Sequence, residues 1–285
     1  MELNKSFRGS SSDQASEYKK QGHKDEELFS SLIKGQVISG TGKADVIDSN
    51  KHTYSVKGGA KKWQIFLYGE NRFIKDKGFH FSNIGNFFLD SLNSFPKEYS
   101  LYKSDKEKAK KELLDFYKLN KKKPVLVEEY VQVIGNSNEY LNSKILLMEA
   151  NKKIKDALSK KDNLKQFLIK SIFDGENVNF WSIKDKEFFL VFDKEEAVEV
   201  LSSSLTADLS KQTTGRPDDI TLAGQKVLLK SKNNVVEIEV RNDSDKHYRQ
   251  IRFNMIRQKT IDILKNHFYE KKIFNDKIRF YKRNS

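Results

Sequence analysis

Residues 40–68 read GTGKADVIDSNKHTYSVKGGAKKWQIFLY, and this stretch is the most informative about the structure of the N-terminal part. Two β-prone runs, 43–47 and 52–57, flank the polar residues 48–51, which are typical of a turn. The pattern therefore predicts a β-hairpin, whose second strand ends at two consecutive glycines. The nearly all-apolar residues from 60 to about 71 predict a buried helix after it.

The predicted hairpin brings together groups that could cleave a phosphodiester bond. Ser55 and Lys57 are two residues apart on one strand, so both point to the same face, and the turn can place Asp45 beside them. A carboxylate at this position would hold Mg²⁺, which clamps a phosphate oxygen and acidifies a water molecule. Lys57 would orient or deprotonate that water. The hairpin is therefore a candidate active site.

A helix is predicted before the hairpin, roughly over residues 24–34, with an apolar stripe that includes Phe29 and Ile33. At 100° per residue, Glu26 lies at the edge of this stripe, whereas Glu27 points away. Glu26 is therefore the preferred acidic residue of the helix, and Asp25 is the next candidate.

In this order, the motifs resemble those of the PD-(D/E)XK nuclease superfamily, whose core has an acid on one strand and (D/E)-x-K on the next. The matching residues are Asp45 and then Ser55-Val56-Lys57. Gln64 and Tyr68 resemble the Q-x-x-x-Y helix motif of the lambda-exonuclease branch. The helix before the hairpin looks like the leading helix of many members, with its Glu at the metal. The resemblance covers roughly residues 22–72 and implies a restriction-endonuclease-like core.

Two positions depart from the family pattern. Ala44 replaces the family's Pro, which is a common change, and Ser55 replaces the second carboxylate, which removes one metal ligand. Some members with a non-acidic residue at this position recruit a carboxylate from a helix. The resemblance therefore implies Asp45 as the metal ligand, assisted by Glu26 or alternatively by Glu70, with Gln64 supporting the site.

A second stretch also imitates the superfamily. Residues 216–219 contain a literal Pro-Asp, and Glu237-Ile238-Glu239 follows further along the chain. Val240-Arg241 follows in place of the lysine, and the Pro-Asp lies in a Gly/Thr-rich turn. This stretch therefore ranks second as a candidate active site.

Net charge points to a polyanionic partner. The chain carries +13, of which residues 241–285 carry +8, with thirteen Lys or Arg against five Asp or Glu. Such a local excess favours nucleic acid over an anionic membrane surface. Arg, Asn and Gln have donors that match base edges in the major groove. The predicted DNA-binding residues are Arg241, Asn242, His247, Tyr248, Arg249, Gln250 and Arg252.

Composition and periodicity set the fold class. The 285 residues include no Cys, and the longest apolar runs, such as 188–192, are far shorter than the roughly 20 residues of a membrane-spanning helix. We expect a soluble, cytoplasmic protein. Helical periodicity over 105–119 and 145–172, two hairpins over 178–192 and 226–240, and a closing helix at 256–268 predict a mixed α/β (α+β) chain. The expected division is a nuclease core with a helical extension over 1–150 and a basic, β-rich recognition region over 151–285.

Together these features predict a Mg²⁺-dependent, sequence-specific endonuclease of double-stranded DNA that resembles type II restriction enzymes. A homodimer is implied by the resemblance, because family members that cut both strands of a palindrome usually act as twofold dimers. Two alternatives stay open: a structure-selective repair nuclease of the same superfamily, and a nucleic-acid-binding protein with an inactive nuclease-like core.

Overall fold

The computed structural model describes residues 12–40, 42–59, 61–175, 177–213 and 215–284. These residues form nine α-helices and two β-sheets, so the predicted mixed α+β class is confirmed. The helices are α1 Ser12–Ile33, α2 Glu70–Lys75, α3 Ile84–Asn93, α4 Tyr99–Asn120, α5 Val127–Ile134, α6 Glu139–Leu158, α7 Lys161–Leu168, α8 Lys194–Ser204 and α9 Arg257–His267. The strands are β1 Gln36–Val37, β2 Val46–Ile47, β3 Thr53–Lys57, β4 Lys62–Tyr68, β5 Phe180–Asp185, β6 Phe188–Asp193, β7 Thr206–Leu209, β8 Val227–Lys230, β9 Asn234–Arg241, β10 Gln250–Ile256, β11 Phe268–Phe274 and β12 Ile278–Arg283.

The chain forms two compact units, and each is assembled from separate segments. The first unit contains Met1–Lys61, Phe173–Ala197 and Leu264–Ser285, and the second contains Lys62–Ile172 and Val198–Ile263. This division differs from the one expected at residue 150, which lies inside α6. A sequence read from end to end cannot show that the last residues return to the unit in which the chain began.

A mixed seven-stranded sheet forms the centre of the first unit, in the order β1-β2-β3-β5-β6-β12-β11. Strands β1, β2 and β3 are antiparallel neighbours, and β5 joins β3 in parallel. Both hairpins predicted for this unit are present, as β2 with β3 and as β5 with β6. The site predicted on the first hairpin therefore lies on β3 and at the residue directly before β2.

Helix α1 packs on one face of this sheet. Its Phe29 is buried in a core cluster with Tyr54 and Val56 of β3 and with Phe189 of β6. Because side chains alternate along a strand, Ser55 and Lys57 point to the face opposite α1. The face that carries the candidate active site is therefore not the face that α1 covers.

The second unit contains α2–α7 and an antiparallel sheet in the order β4-β10-β9-β8-β7. The helix predicted over 60–71 is wrong, because residues 62–68 form strand β4. This strand is antiparallel to β10, with Trp63 opposite Met255 and Tyr68 opposite Ile251. A short apolar run is compatible with either element, and aromatic and β-branched residues favour a strand where a partner strand supplies hydrogen bonds. Helix α2 begins only at Glu70.

The remaining elements follow the predicted pattern in part. The hairpin predicted over 226–240 is β8 with β9. The helix predicted over 256–268 is α9, but it does not close the chain, because the paired strands β11 and β12 follow it. The long helix predicted over 145–172 is divided in two: α6 ends before Ser159, and α7 begins after Lys160. Within the described ranges, no helix has the length and apolar character needed to cross a membrane.

Candidate functional site

A turn with its own hydrogen bonds sets the register of the candidate site. Asp48 Oδ1 accepts hydrogen bonds from the backbone amides of Asn50 (2.8 Å) and His52 (2.9 Å). Val46 pairs with Tyr54, and the Asp45 amide donates to the Tyr54 carbonyl at 2.8 Å. Asp45 therefore lies across from Ser55, as the sequence predicts.

The Asp45 carboxylate lies at the centre of this site. Its Oδ2 accepts hydrogen bonds from the Val56 amide (2.7 Å), the Ser55 hydroxyl (3.3 Å) and Lys57 Nζ (3.2 Å). Lys57 Nζ also donates to the Val56 carbonyl at 3.1 Å. The side chains of Asp45 and Lys57 are 17% and 21% exposed, so the ion pair is mostly enclosed but keeps some access to solvent.

The second carboxylate oxygen of Asp45 bears on metal binding. Within the described part of the chain, no donor reaches Oδ1, so this oxygen is available to a cation. Mg²⁺ is often held by one or two carboxylates together with substrate phosphates and water. The Asp45 site fits such a weakly held ion. It does not form a complete protein cage, because no three His, Cys, Asp or Glu residues of the described ranges are grouped to hold a metal.

The acidic residue of α1 that faces the sheet is Asp25. It is buried, and its Oδ1 accepts hydrogen bonds from Lys184 Nζ (2.6 Å) and Gln21 Nε2 (2.9 Å). Glu26, the residue preferred from the sequence, is partly exposed and contacts His23 at 3.1 Å. Asp25 is four residues before the buried Phe29, so the two lie on the same face of the helix. This spacing is the feature of the sequence that could have indicated that Asp25 faces the sheet. No described contact joins either carboxylate to Asp45.

Gln64 and Glu70 lie in the second unit. Gln64 is exposed on β4 and pairs across the sheet with Asn254 of β10, so it is not on a helix. Glu70 is the first residue of α2, and its carboxylate is 3.5 Å from Arg249. The Q-x-x-x-Y match is therefore a feature of a strand, and this part of the resemblance is wrong.

The residues predicted to bind DNA are held largely by contacts within the second unit. Arg249 Nε donates to the Leu92 carbonyl at 3.0 Å, and the Tyr248 hydroxyl donates to the Pro96 carbonyl at 2.9 Å. The other members of the set have these surroundings: Arg241 pairs with Asp243 at 2.9 Å, Arg252 pairs with Glu239, His247 contacts Gln250 at 3.3 Å, and Asn242 is half-buried. Donors of Arg241, Tyr248, Arg249 and Arg252 are thus engaged in contacts within the protein, which sequence alone could not indicate.

In the rival stretch, each carboxylate has a partner of its own. Asp218 lies 3.6 Å from Arg216, and Asp219 accepts a hydrogen bond from the Tyr140 hydroxyl. Glu237 pairs with Lys62 at 2.8 Å, and Glu239 pairs with Lys226 at 2.7 Å. Burial raises the pKa of Glu239, but the charges and hydrogen bonds of Lys226 and Arg252 outweigh burial and leave the pKa below its ordinary value. These carboxylates form separate ion pairs and hydrogen bonds, not a shared site.

No family model matches the chain, and no curated protein is significantly similar to it. The geometry around Asp45 is therefore the basis of the functional interpretation.

Proposed function

We propose that the protein is a Mg²⁺-dependent endonuclease that hydrolyses phosphodiester bonds of double-stranded DNA. One observation carries the proposal: Asp45, directly before β2, and Lys57, at the end of the neighbouring strand β3, have their charged groups 3.2 Å apart. The carboxylate could hold a divalent cation, and the lysine beside it could stabilise charge on a phosphate, so this contact supports metal-assisted phosphodiester hydrolysis. Sequence specificity of the type II restriction kind, with a homodimer on a palindromic site, belongs to the same proposal.

Each residue of the site has a distinct part in this proposal. Asp45 Oδ1 would hold the metal, while Oδ2 stays bonded to the Val56 amide and so remains fixed in position. A divalent cation bound there supplies charge neutralisation at the phosphate and lowers the pKa of a water ligand. Lys57 would orient the attacking water and neutralise negative charge that develops on the phosphate. Ser55 would hold the carboxylate through its hydroxyl.

The proposal is tested by incubating purified protein with supercoiled plasmid and Mg²⁺ and separating the products on a gel. Lys57→Ala should lower the cleavage rate by about 10²-fold or more, because a positioned catalytic group is lost. DNA binding measured in Ca²⁺ should be retained. The matched control is Lys61→Ala, which removes an exposed lysine four residues further on and should cut like wild type. Near-normal cleavage by the Lys57 variant would refute the assignment.

A second candidate is a DNA-binding protein with an inactive nuclease-like core. It is favoured by Ser55 at the family's acid position, and by the lack of a grouped second carboxylate among the residues that the structure describes. The same experiment separates the two functions. Tight DNA binding in Ca²⁺, with no nicking or cutting by the wild-type protein at any Mg²⁺ concentration, would establish the second candidate.

A further inference from the structure

A basic cleft lies in the second unit, between the end of α2 and the following 3₁₀ turn, Lys77–Phe79. The cleft has a volume of about 730 Å³ and is open to solvent. Four cationic side chains and one carboxylate line it: Arg72, Lys75, Lys77, Lys170 and Asp76. Its formal charge is therefore +3. The predicted DNA-binding arginines lie in the same unit but are held by internal contacts.

Asp76 organises two of the four cations. Its carboxylate is 2.9 Å from both Arg72 Nη2 and Lys170 Nζ, and it accepts the Gly78 amide at 3.0 Å. Burial raises the pKa of Asp76, but the hydrogen bonds from Lys170 and Gly78 outweigh burial and keep the pKa below its ordinary value. The carboxylate thus stays ionised and fixes both cations in position. Because these side chains are already ordered, the entropic cost of binding a ligand is smaller.

Lys75 and Lys77 provide the unneutralised charge. Both are exposed, and in the described ranges neither ammonium group pairs with a carboxylate. A general excess of lysine does not account for this cleft. Another cleft of the second unit, about 600 Å³ in volume, is lined by Glu112, Asp115 and Glu129 against Lys122 and Lys123, and is negative overall.

We infer that the basic cleft binds the phosphodiester backbone of a nucleic acid. Arginine and lysine side chains that line an open cleft suit a charged chain passing through it, since phosphate contacts position a nucleic acid without reading its sequence. The Arg72 guanidinium lies 4.9 Å from the centre of the Tyr68 ring, a cation–π contact that helps to hold it in position. The identification of the nucleic acid as duplex DNA rests on the proposed function.

The test compares two double variants of equal charge. Lys75→Gln/Lys77→Gln removes the unpaired cations of the cleft, and Lys108→Gln/Lys111→Gln removes two exposed lysines of α4 that lie outside both clefts. Circular dichroism would first check that both are folded. Fluorescence anisotropy then measures affinity for a labelled DNA duplex in Ca²⁺ over a range of salt concentrations, with inorganic phosphate titrated separately.

The cleft variant should bind DNA more weakly, with the slope of log K against log salt smaller by about 1.8, because two phosphate contacts are lost. The control should retain the wild-type slope. If the cleft variant binds the duplex like wild type, the inference is overturned, even if its binding of inorganic phosphate falls, and the proposed cleavage at Asp45 is unaffected. If the cleft is needed for binding but the wild type never cleaves, the inference stands and the proposed function fails.

Discussion

Asp25 of α1 occupies the space that a side chain at position 58 would need. A Cβ built on Gly58 would overlap Asp25 Oδ2 and lie 2.9 Å from its Cγ. Asp25 cannot easily move away, because it is buried and its other oxygen accepts a hydrogen bond from Lys184 at 2.6 Å. The helix is thus docked against the backbone directly after Lys57, so the position of α1 and the end of β3 depend on each other.

Gly58→Ala should destabilise the first unit. The added methyl would displace the Asp25 carboxylate from Lys184, and overpacking of this kind costs about 1–3 kcal/mol. Gly22→Ala in α1, the helix that contains Asp25, is the matched control, because nothing lies within 4 Å of a Cβ at that position. It should stabilise the helix by about 0.5–1 kcal/mol. Urea unfolding of both variants measures the change in the free energy of unfolding relative to wild type. Equal stabilities would contradict the close packing at Gly58.

Asp45→Asn should abolish Mg²⁺-dependent cleavage while the fold is kept. The change is nearly isosteric, but it removes the charge that would hold the metal and pair with Lys57. Asp218→Asn should leave cleavage intact, since Asp218 contacts only Arg216 among the described residues. Plasmid cleavage at several Mg²⁺ concentrations measures both. The reverse result would move the active site to the Pro217-Asp218 stretch.

Glu26→Gln should need no more Mg²⁺ than wild type. The Glu26 carboxylate contacts His23, and its helix packs on the face of the sheet opposite Lys57. Glu70→Gln should behave in the same way, because the Glu70 carboxylate faces Arg249. The check is the cleavage rate as a function of Mg²⁺ concentration. A markedly higher Mg²⁺ requirement in either variant would identify that residue as the recruited ligand.

Arg249→Ala should lower stability beyond any effect on DNA binding. The guanidinium bonds the Leu92 carbonyl at 3.0 Å and the Asn93 side chain at 2.6 Å, and only 12% of the arginine side chain is exposed. Loss of these partners should cost about 1–3 kcal/mol. Lys246→Ala, at an exposed neighbouring position, should have little effect on thermal unfolding. An unchanged melting temperature for Arg249→Ala would show that Arg249 is not needed for stability, and it would again be a candidate for DNA binding.

The turn of the candidate hairpin should make stability depend on pH. Burial raises the pKa of Asp48, but hydrogen bonds from the His52 amide, the Tyr54 hydroxyl, the His52 ring and the Asn50 amide outweigh it and lower the pKa. A lowered folded-state pKa stabilises the fold above the unfolded-state pKa, and this stabilisation is lost as pH falls through the folded-state pKa. Asp48→Asn should therefore lower stability at pH 7 more than at about pH 3. A constant difference in urea unfolding would contradict this assignment.

Elements whose signals are local could be predicted from the amino-acid sequence. Alternating residues on either side of Lys186 predict the β5–β6 hairpin, and polar residues 48–51 predict the turn that brings Asp45 across from Ser55. In such hairpins the turn sets the register, and register decides which side chains share a face. The contact between Asp45 and Lys57 could therefore be predicted without knowledge of the rest of the chain.

Features that depend on partners distant in the chain could not be predicted without the three-dimensional structure. Residues 62–68 are a strand because β10, far along the chain, supplies their backbone partners. Asp25 faces the sheet because Lys184 donates a hydrogen bond to it and because Gly58, which has no side chain, leaves room for its carboxylate. The donors of Arg249 are used by carbonyl and amide oxygens at the end of α3. An apolar run, a carboxylate or an arginine has several stable environments, and only long-range packing selects among them, because the partner that lowers the free energy most is remote in sequence.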